Sequence, residues 1–575
     1  MHRIASAIAA SAAIVIAAPA QAQDVQGYWE GTLDAGTVQL PLGVNIERQD
    51  DGTLSGTLDS PSQNAFDIPL EDVEATDTTL SFTVPAVGGR YRAEWDTATE
   101  SWIGLWTQAG QSLALTLVAA ERPEREAAAA TPQLPEEWDI PADADIASIL
   151  TERLMHRPGT GIVVGAITPD GTRVVSQGPS PDGAFDADTV FEIGSITKVF
   201  VALLLADMAN DGLVSLDDPV SDYLPDGATI GTFEGQPITL RHLARHESGL
   251  PRLPSNLEFS DIRNPYADYG EEDLLAFLAS YEPERAPGSE YAYSNLGFGL
   301  LGYALERAGG SDLEVLLRNR ILDPLDMGDT GIVLTADQQS RFATGRDEYN
   351  RETLAWDLGV LTGAGALRST PADMLKFAAA AMDPSSPLAP AMLLTMSDLR
   401  QAPGYRSGLG WMVVPAPSGV VVMHGGGTGG FRAHVALQEE SGQGVVVLTN
   451  SAIEPSTQDI ALHFLVGAPL SEAGPVPEAP ETVVREEVEL TDAQLDRVVG
   501  TYRFAPGLEL TVTRITGGLE AALTGQAPLR IYPRAPLEFF LTSVNGEIVF
   551  TQEDGEITGA VFTQDGREST AVRVD

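Results

Sequence analysis

A serine and a lysine stand three residues apart, at Ser195 and Lys198, in the run Phe191-Glu-Ile-Gly-Ser-Ile-Thr-Lys198-Val-Phe. The apolar positions Ile196, Val199, Phe200, Leu203, Leu204 and Met208 predict a buried helix with Ser195 in its first turn. At this spacing the two side chains share a helix face, with Cβ atoms about 5–6 Å apart. A serine hydroxyl is a weak nucleophile until a base takes its proton. A helix N-terminus, with its unpaired N–H groups and dipole, favours the alkoxide and oxyanion that follow. Composition sharpens the point, because only two of the 34 basic residues are lysines, Lys198 and Lys376. Guanidinium keeps its proton above pH ~12, whereas a desolvated amine gives it up. Lysine at 198 therefore points to proton transfer. Lys376, on a helix expected after Thr370-Pro371, reads as chance retention. A capping serine beside a solvated lysine is the bland reading of the same spacing.

Two further groups carry chemistry-bearing residues. Tyr291-Ala-Tyr293-Ser-Asn295 precedes an apolar run that reads as a helix, so Ser294 or Asn295 is a candidate cap. A phenol beside an ammonium is expected to have a lowered pKa and to pass a proton. The Asn295 amide offers both a donor and an acceptor to a substrate amide. Val421-Val-Met-His424-Gly-Gly426-Gly427-Thr-Gly-Gly-Phe431 reads as a strand ending in a histidine and glycines, followed by a second strand over 433–437. Glycines there let a ligand approach the backbone. The loop lacks the lysine and following helix of a phosphate cradle. His242 and His246 stand four apart on an expected helix, but Leu243 occupies the place of a metalloprotease glutamate and no third ligand is evident. No metal and no cofactor are expected.

In this order and separation, Ser195/Lys198, Tyr293/Asn295 and His424/Gly426 resemble the motif set of the penicillin-recognising serine hydrolases. The nearest likeness is to the class C β-lactamase branch with its esterases and D-amino-acid peptidases. Ile238–Pro251 and Tyr405–Trp411 add to it. The resemblance implies an α/β (α+β) fold, an antiparallel sheet flanked by helices beside a helical subdomain, with Ser195 at their junction. It implies Ser195, Lys198 and Tyr293 as catalytic residues and Asn295, His424 and Gly426 as substrate-binding ones. The backbone N–H groups of Ser195 and Gly427 would form the oxyanion hole. His424 stands where class C β-lactamases carry lysine, which favours esterase or peptidase chemistry over efficient β-lactam hydrolysis, because imidazole is mostly neutral at pH 7. Glu247, where relatives carry a small hydroxyl residue, has no evident reason in the sequence. The competing reading is a penicillin-binding or cell-wall sensor that acylates without turning over.

The elements that must position these residues sit inside a long chain. Its 575 residues exceed what one core organises. Residues 1–22 read as a signal peptide, with a polar start, an apolar run and the small-residue pattern Ala20-Gln21-Ala22. Residues 23–120 show alternating runs and the turns Asp51-Gly52 and Gly88-Gly89, an N-terminal β domain. A linker over 121–141 leads to the hydrolase domain, 142–466, where helices are expected at 196–210, 271–280, 296–308 and 371–381 and a hairpin around Pro169-Asp170-Gly171. A Pro- and Glu-rich linker, 467–485, precedes a C-terminal β-barrel or sandwich, 486–575, with turns at Gly517-Gly518, Asn545-Gly546, Asp554-Gly555 and Asp565-Gly566. The chain has no cysteine, hence no disulfide and no thiol nucleophile. With 82 acidic against 34 basic residues its formal charge is −48, which repels nucleic acid and anionic lipid. The expected partner is a small-molecule or peptide substrate with an acyl group. No membrane span is expected after the signal, so the location would be periplasmic or secreted; oligomeric state leaves no mark.

Overall fold

The computed structural model describes residues 25–574, except 35–38, 50–51, 61–64, 88, 98, 109–110, 121, 123–133, 136, 179–184, 258–260, 262, 284, 478–486, 506–507, 516, 525–527, 542–545, 554 and 565–566. The expected signal peptide, most of the first linker, half of the second and several expected turn residues (Asp51, Gly88, Asn545, Asp554, Asp565, Gly566) lie outside the described residues.

Residues 27–120 form a nine-stranded antiparallel sheet folded as two meanders. Its first strand, Gly27–Asp34, pairs with both Gln39–Arg48 and Gln111–Ala120. Period-two burial builds the inside: in Thr79–Val84 every second residue is buried, and in Gly89–Asp96 Tyr91 and Ala93 face inward. Trp29, Trp102 and Trp106 fill the centre, with Trp29 and Trp102 edge to face at 6.2 Å. Residues 500–573 form a closed eight-stranded barrel around Tyr502, Leu519, Ile548 and Phe550. Closure leaves no edge strand to aggregate.

In the intervening part of the chain an eight-stranded antiparallel sheet has the strand order Gly171–Gln177, Ile162–Thr168, Gln443–Thr449, Arg432–Gln438, Gly419–Gly427, Met412–Ala416, Tyr405–Ser407, Arg400–Ala402. The Pro169-Asp170 turn is as expected, closing Thr168 against Gly171. Side chains alternate between two cores. On one face Val164, Ala436, Val445 and Val447 meet the helices Asp143–Arg153 and Gln458–Val466. On the other Val163, Val435, Val446 and Leu448 join a larger core with the helices Thr197–Asn210 and Pro371–Met382. That core continues into a helical layer holding Glu271–Ser280 and Asn295–Gly309. The four expected helices all form, with ends within one residue of the reading.

The helix Thr197–Asn210 is the hub. Eleven of its 14 residues are buried, so its position is fixed from all sides. Each fully buried Leu, Val or Phe there contributes about 1.5–3 kcal/mol. Among these apolar side chains sits Lys198, 0% exposed. Burying an ammonium is costly unless it is partnered or loses its proton.

Candidate active site

Ser195 occupies a single 3-10 turn, Gly194–Ile196, directly before that helix, rather than the helix's own first turn. Gly194 makes the turn possible: its φ is +50°, and a Cβ there would lie 2.6 Å from the Gly427 nitrogen. The strand Gly419–Gly427 presses equally close, since a Cβ on Gly426 would meet the Ile193 carbonyl oxygen at 1.9 Å. Two glycines from segments more than 200 residues apart thus bring the backbones of Ser195 and Gly427 to one place, and both line a small cleft with Asn295, Tyr266 and Thr428.

Lys198 Nζ lies 3.0 Å from Ser195 Oγ, 2.9 Å from Asn295 Oδ1 and 2.6 Å from the Ala364 carbonyl oxygen. Burial, aided by the charge of Arg252, holds its pKa well below the usual lysine range. A neutral amine has two hydrogens and one lone pair. The two carbonyl oxygens can only accept, so in its neutral form Lys198 gives them both hydrogens and turns its lone pair to the Ser195 hydroxyl, whereas as an ammonium it donates to all three oxygens. Asn295, expected to meet substrate, has its carbonyl engaged by the lysine. Ala364 left no sequence signal, because a main-chain carbonyl has no residue type.

Tyr293 lies against the same group, its ring centroid 5.0 Å from Lys198 Nζ. The lowered phenol pKa expected from the sequence is not what the structure has. Burial raises it, and a hydrogen bond with Ser195 and the charge of Arg252 offset this only partly. The expectation set the phenol beside an ammonium and left out the phenol's own burial; in the core the same desolvation acts on both groups. Tyr293 is held by His246, whose ring stacks on it at 4.2 Å. The helix that follows begins at Asn295, capped by Ser294, whose Oγ accepts from the Gly297 N–H at 2.8 Å and donates to the Pro251 carbonyl at 2.6 Å.

His242 and His246 do not share a helix. His242 lies in Leu240–Ala244, where its Nδ1 accepts from the Thr239 N–H as half of a capping box. His246 follows the helix end with φ +57° and accepts from the Ser294 N–H through Nδ1 at 3.0 Å. Glu247 now has a reason: it is 3% exposed and pairs with Arg245 at 3.2 Å and Arg400 at 2.8 Å, tying the His246 turn to the sheet's edge strand.

His424 lines a larger cavity of about 390 Å³ together with Tyr293, His246, Arg252 and Gly425–Gly427. Burial lowers its pKa to about 3, so the ring is neutral. Its Nδ1 is 2.7 Å from the Gly425 carbonyl oxygen, which can only accept, so Nδ1 carries the proton and Nε2 a lone pair. Gly427 lines both this cavity and the cleft at Ser195. The structure thus brings Ser195, Lys198, Tyr293, Asn295, His424, Gly426 and Gly427 together, and adds Ala364, Arg252 and His246, which sequence reasoning did not place there.

The Beta-lactamase family model matches residues 148–468. The D-alanyl-D-alanine-carboxypeptidase/endopeptidase AmpH of Escherichia coli (strain K12) is 32% identical over 287 residues, 46% of this chain and 72% of that protein. Penicillin-binding protein 4* of Bacillus subtilis (strain 168) is 25% identical over 414 residues, 67% of this chain and 88% of that protein. Among solved structures, a beta-lactamase/D-alanine carboxypeptidase from Pseudomonas syringae covers 56% of this chain and 99% of its own, with TM-score 0.50 and 21% identity, a likeness of fold. The family match spans the eight-stranded sheet, its helices except the start of Asp143–Arg153, and every residue of the site just described, and the chain belongs to the β-lactamase family of serine hydrolases.

Proposed function

We propose that the chain is an exported hydrolase that forms an acyl-enzyme on Ser195 from an amide, lactam or ester. The observation that carries this reading is the Lys198 amine, desolvated in an apolar core and 3.0 Å from Ser195 Oγ. The Ser195 proton passes to the Nζ lone pair as Oγ forms a bond to the substrate carbonyl carbon. The N–H groups of Ser195 and Gly427 hold the oxyanion, each worth about 2.7–4 kcal/mol in such sites. Collapse breaks the bond to the leaving nitrogen or oxygen, which takes the proton back from Lys198 through Tyr293. Water then adds to the acyl carbon as Tyr293 relays its proton to Lys198, and collapse breaks the Ser195 Oγ–carbon bond, returns that proton to Oγ and releases the acid. Lys198 is favoured over Tyr293 as the acylation base, because burial favours the neutral form of each: a lone-pair amine and a protonated phenol. Asn295 holds the lysine and offers its amide nitrogen to the acyl part, and His424 and Gly426 border the leaving part.

Export rests on the pattern in residues 1–22, and the limits 23–120, 142–466 and 486–575, joined by linkers 121–141 and 467–485, are part of the same reading. The names of the relatives make D-alanyl-D-alanine peptides and β-lactams the substrates to try first. The test is covalent labelling with a fluorophosphonate and a fluorescent penicillin. Ser195→Ala should abolish it, and full-stoichiometry labelling of that variant removes Ser195 as nucleophile. Sustained turnover of nitrocefin, a p-nitrophenyl ester or a D-Ala peptide is expected. A single burst of one product per chain followed by silence would point instead to a sensor.

A further inference from the structure

Among the described residues, two cations that the proton-transfer account does not use line the larger cavity, Arg252 and Arg432. The Arg252 side chain is exposed and lines the cavity with His424 and Gly425–Gly427. The guanidinium carbon stands 5.1 Å from the Tyr293 ring centroid. Its carbonyl accepts the N–H groups of Asn295 and Leu296 at 3.0 and 3.1 Å, so it is fixed by the helix start that also places Asn295. The neighbouring arginines are each paired with a carboxylate: Arg432 with Glu454 at 2.9 Å, Arg245 with Asp398 and Glu247, and Arg400 with Glu247. Among the described residues no carboxylate forms an ion pair with Arg252, in a chain holding 82 of them. Its charge reaches the site, where it pushes Lys198, Tyr293 and His246 in the direction a cation must. His424 does not compete for an anion, because its ring is neutral and Nε2 presents a lone pair.

We propose that Arg252 recognises a carboxylate on the substrate and makes the enzyme selective for anionic acyl donors. This rests on the hydrolase reading above. A planar guanidinium matches a carboxylate with two parallel N–H donors, and its position over Tyr293 limits the rotamers it must give up on binding.

The test uses the full chain and two aryl esters of one acid, whose phenols carry a meta-carboxylate or a meta-carboxamide and differ in little but charge. The wild type should prefer the carboxylate in kcat/KM, with the preference falling as salt is raised. Arg252→Ala should reduce the carboxylate-to-carboxamide ratio at least about 10-fold, chiefly through KM, and Arg252→Lys should restore part of it. Arg252→Glu should invert the preference. An unchanged ratio in Arg252→Ala, or a wild type blind to the charge, overturns the proposal. Labelling of Ser195 by a fluorophosphonate is followed in every variant, so failure of the hydrolase reading shows as lost labelling of the wild type, separately from the ratio.

Discussion

At the scale of single residues, the site depends on protons being absent where solution chemistry would leave them. Lys198→Arg keeps a cation that cannot give up its proton, so kcat/KM should fall at least about 100-fold, read on any ester the wild type turns over. The pH profile carries the same signature. Because burial lowers the Lys198 pKa, the reactive amine forms well below the usual lysine range, and kcat/KM should reach its plateau at a pH where free lysine is still protonated. An acid limb near pH 10 would place the lysine in water and refute the account. Removing Arg252 should move this limb upward, because one of the two causes that lower the Lys198 pKa is lost.

At the scale of elements, two glycines and one carboxylate decide whether the pieces meet. Gly426→Ala would set a methyl 1.9 Å from the Ile193 carbonyl oxygen and must force the strand away from Ser195. Labelling by a fluorophosphonate should slow at least about 100-fold, as expected when an oxyanion donor is displaced. Gly474→Ala, with nothing within 4 Å of the added methyl, should label like the wild type. Glu247→Gln leaves the Arg400 guanidinium without its counter-charge and Arg245 with Asp398 alone, and should cost on the order of 3 kcal/mol in a urea titration. What was legible in the sequence follows the same division. Ser195-x-x-Lys198 was readable because helical periodicity is local, and so were the four helices and the Pro169-Asp170 turn. The Ala364 carbonyl was not, because it meets Lys198 across 166 residues and has no side-chain identity. Arg252 was passed over as one arginine among many; what sets it apart is that no carboxylate among the described residues pairs with it. The phenol of Tyr293 was misread because its own burial, which raises its pKa, is set by segments distant in sequence. Glu247 looked like a departure from pattern, and its reason lies in Arg400 on a distant strand.

At the scale of the whole molecule, buried imidazoles link folding to pH. His424 and His434 have pKa values lowered to about 3 and about 4 by burial, against 6.5 for a free histidine. The unfolded chain therefore takes up protons at these positions below about pH 6.5 while the native chain does not, so their contribution to stability is full above pH 6.5 and shrinks as pH falls toward 4. Each proton costs about 1.4 kcal/mol per pH unit in that window. The net charge of −48 works the other way, because acid relieves its self-repulsion, so variants are compared with the wild type in the same buffers. His434→Asn should flatten the pH dependence of the urea midpoint between pH 6.5 and 4.5, and a parallel curve would show that His434 is protonated in the native state. The scarcity of lysine has a practical consequence of a different kind. Of the two lysine amines, Lys198 is sealed in the core and Lys376 has a side chain 42% exposed beside Asp373. A dye or surface linker that reacts with lysine amines will therefore decorate the folded protein at one known side chain, on the helix Pro371–Met382, whereas the unfolded protein offers two. The number of tags beyond the one on the α-amine, one for the folded and two for the unfolded chain, then reports by mass how much of a preparation is folded.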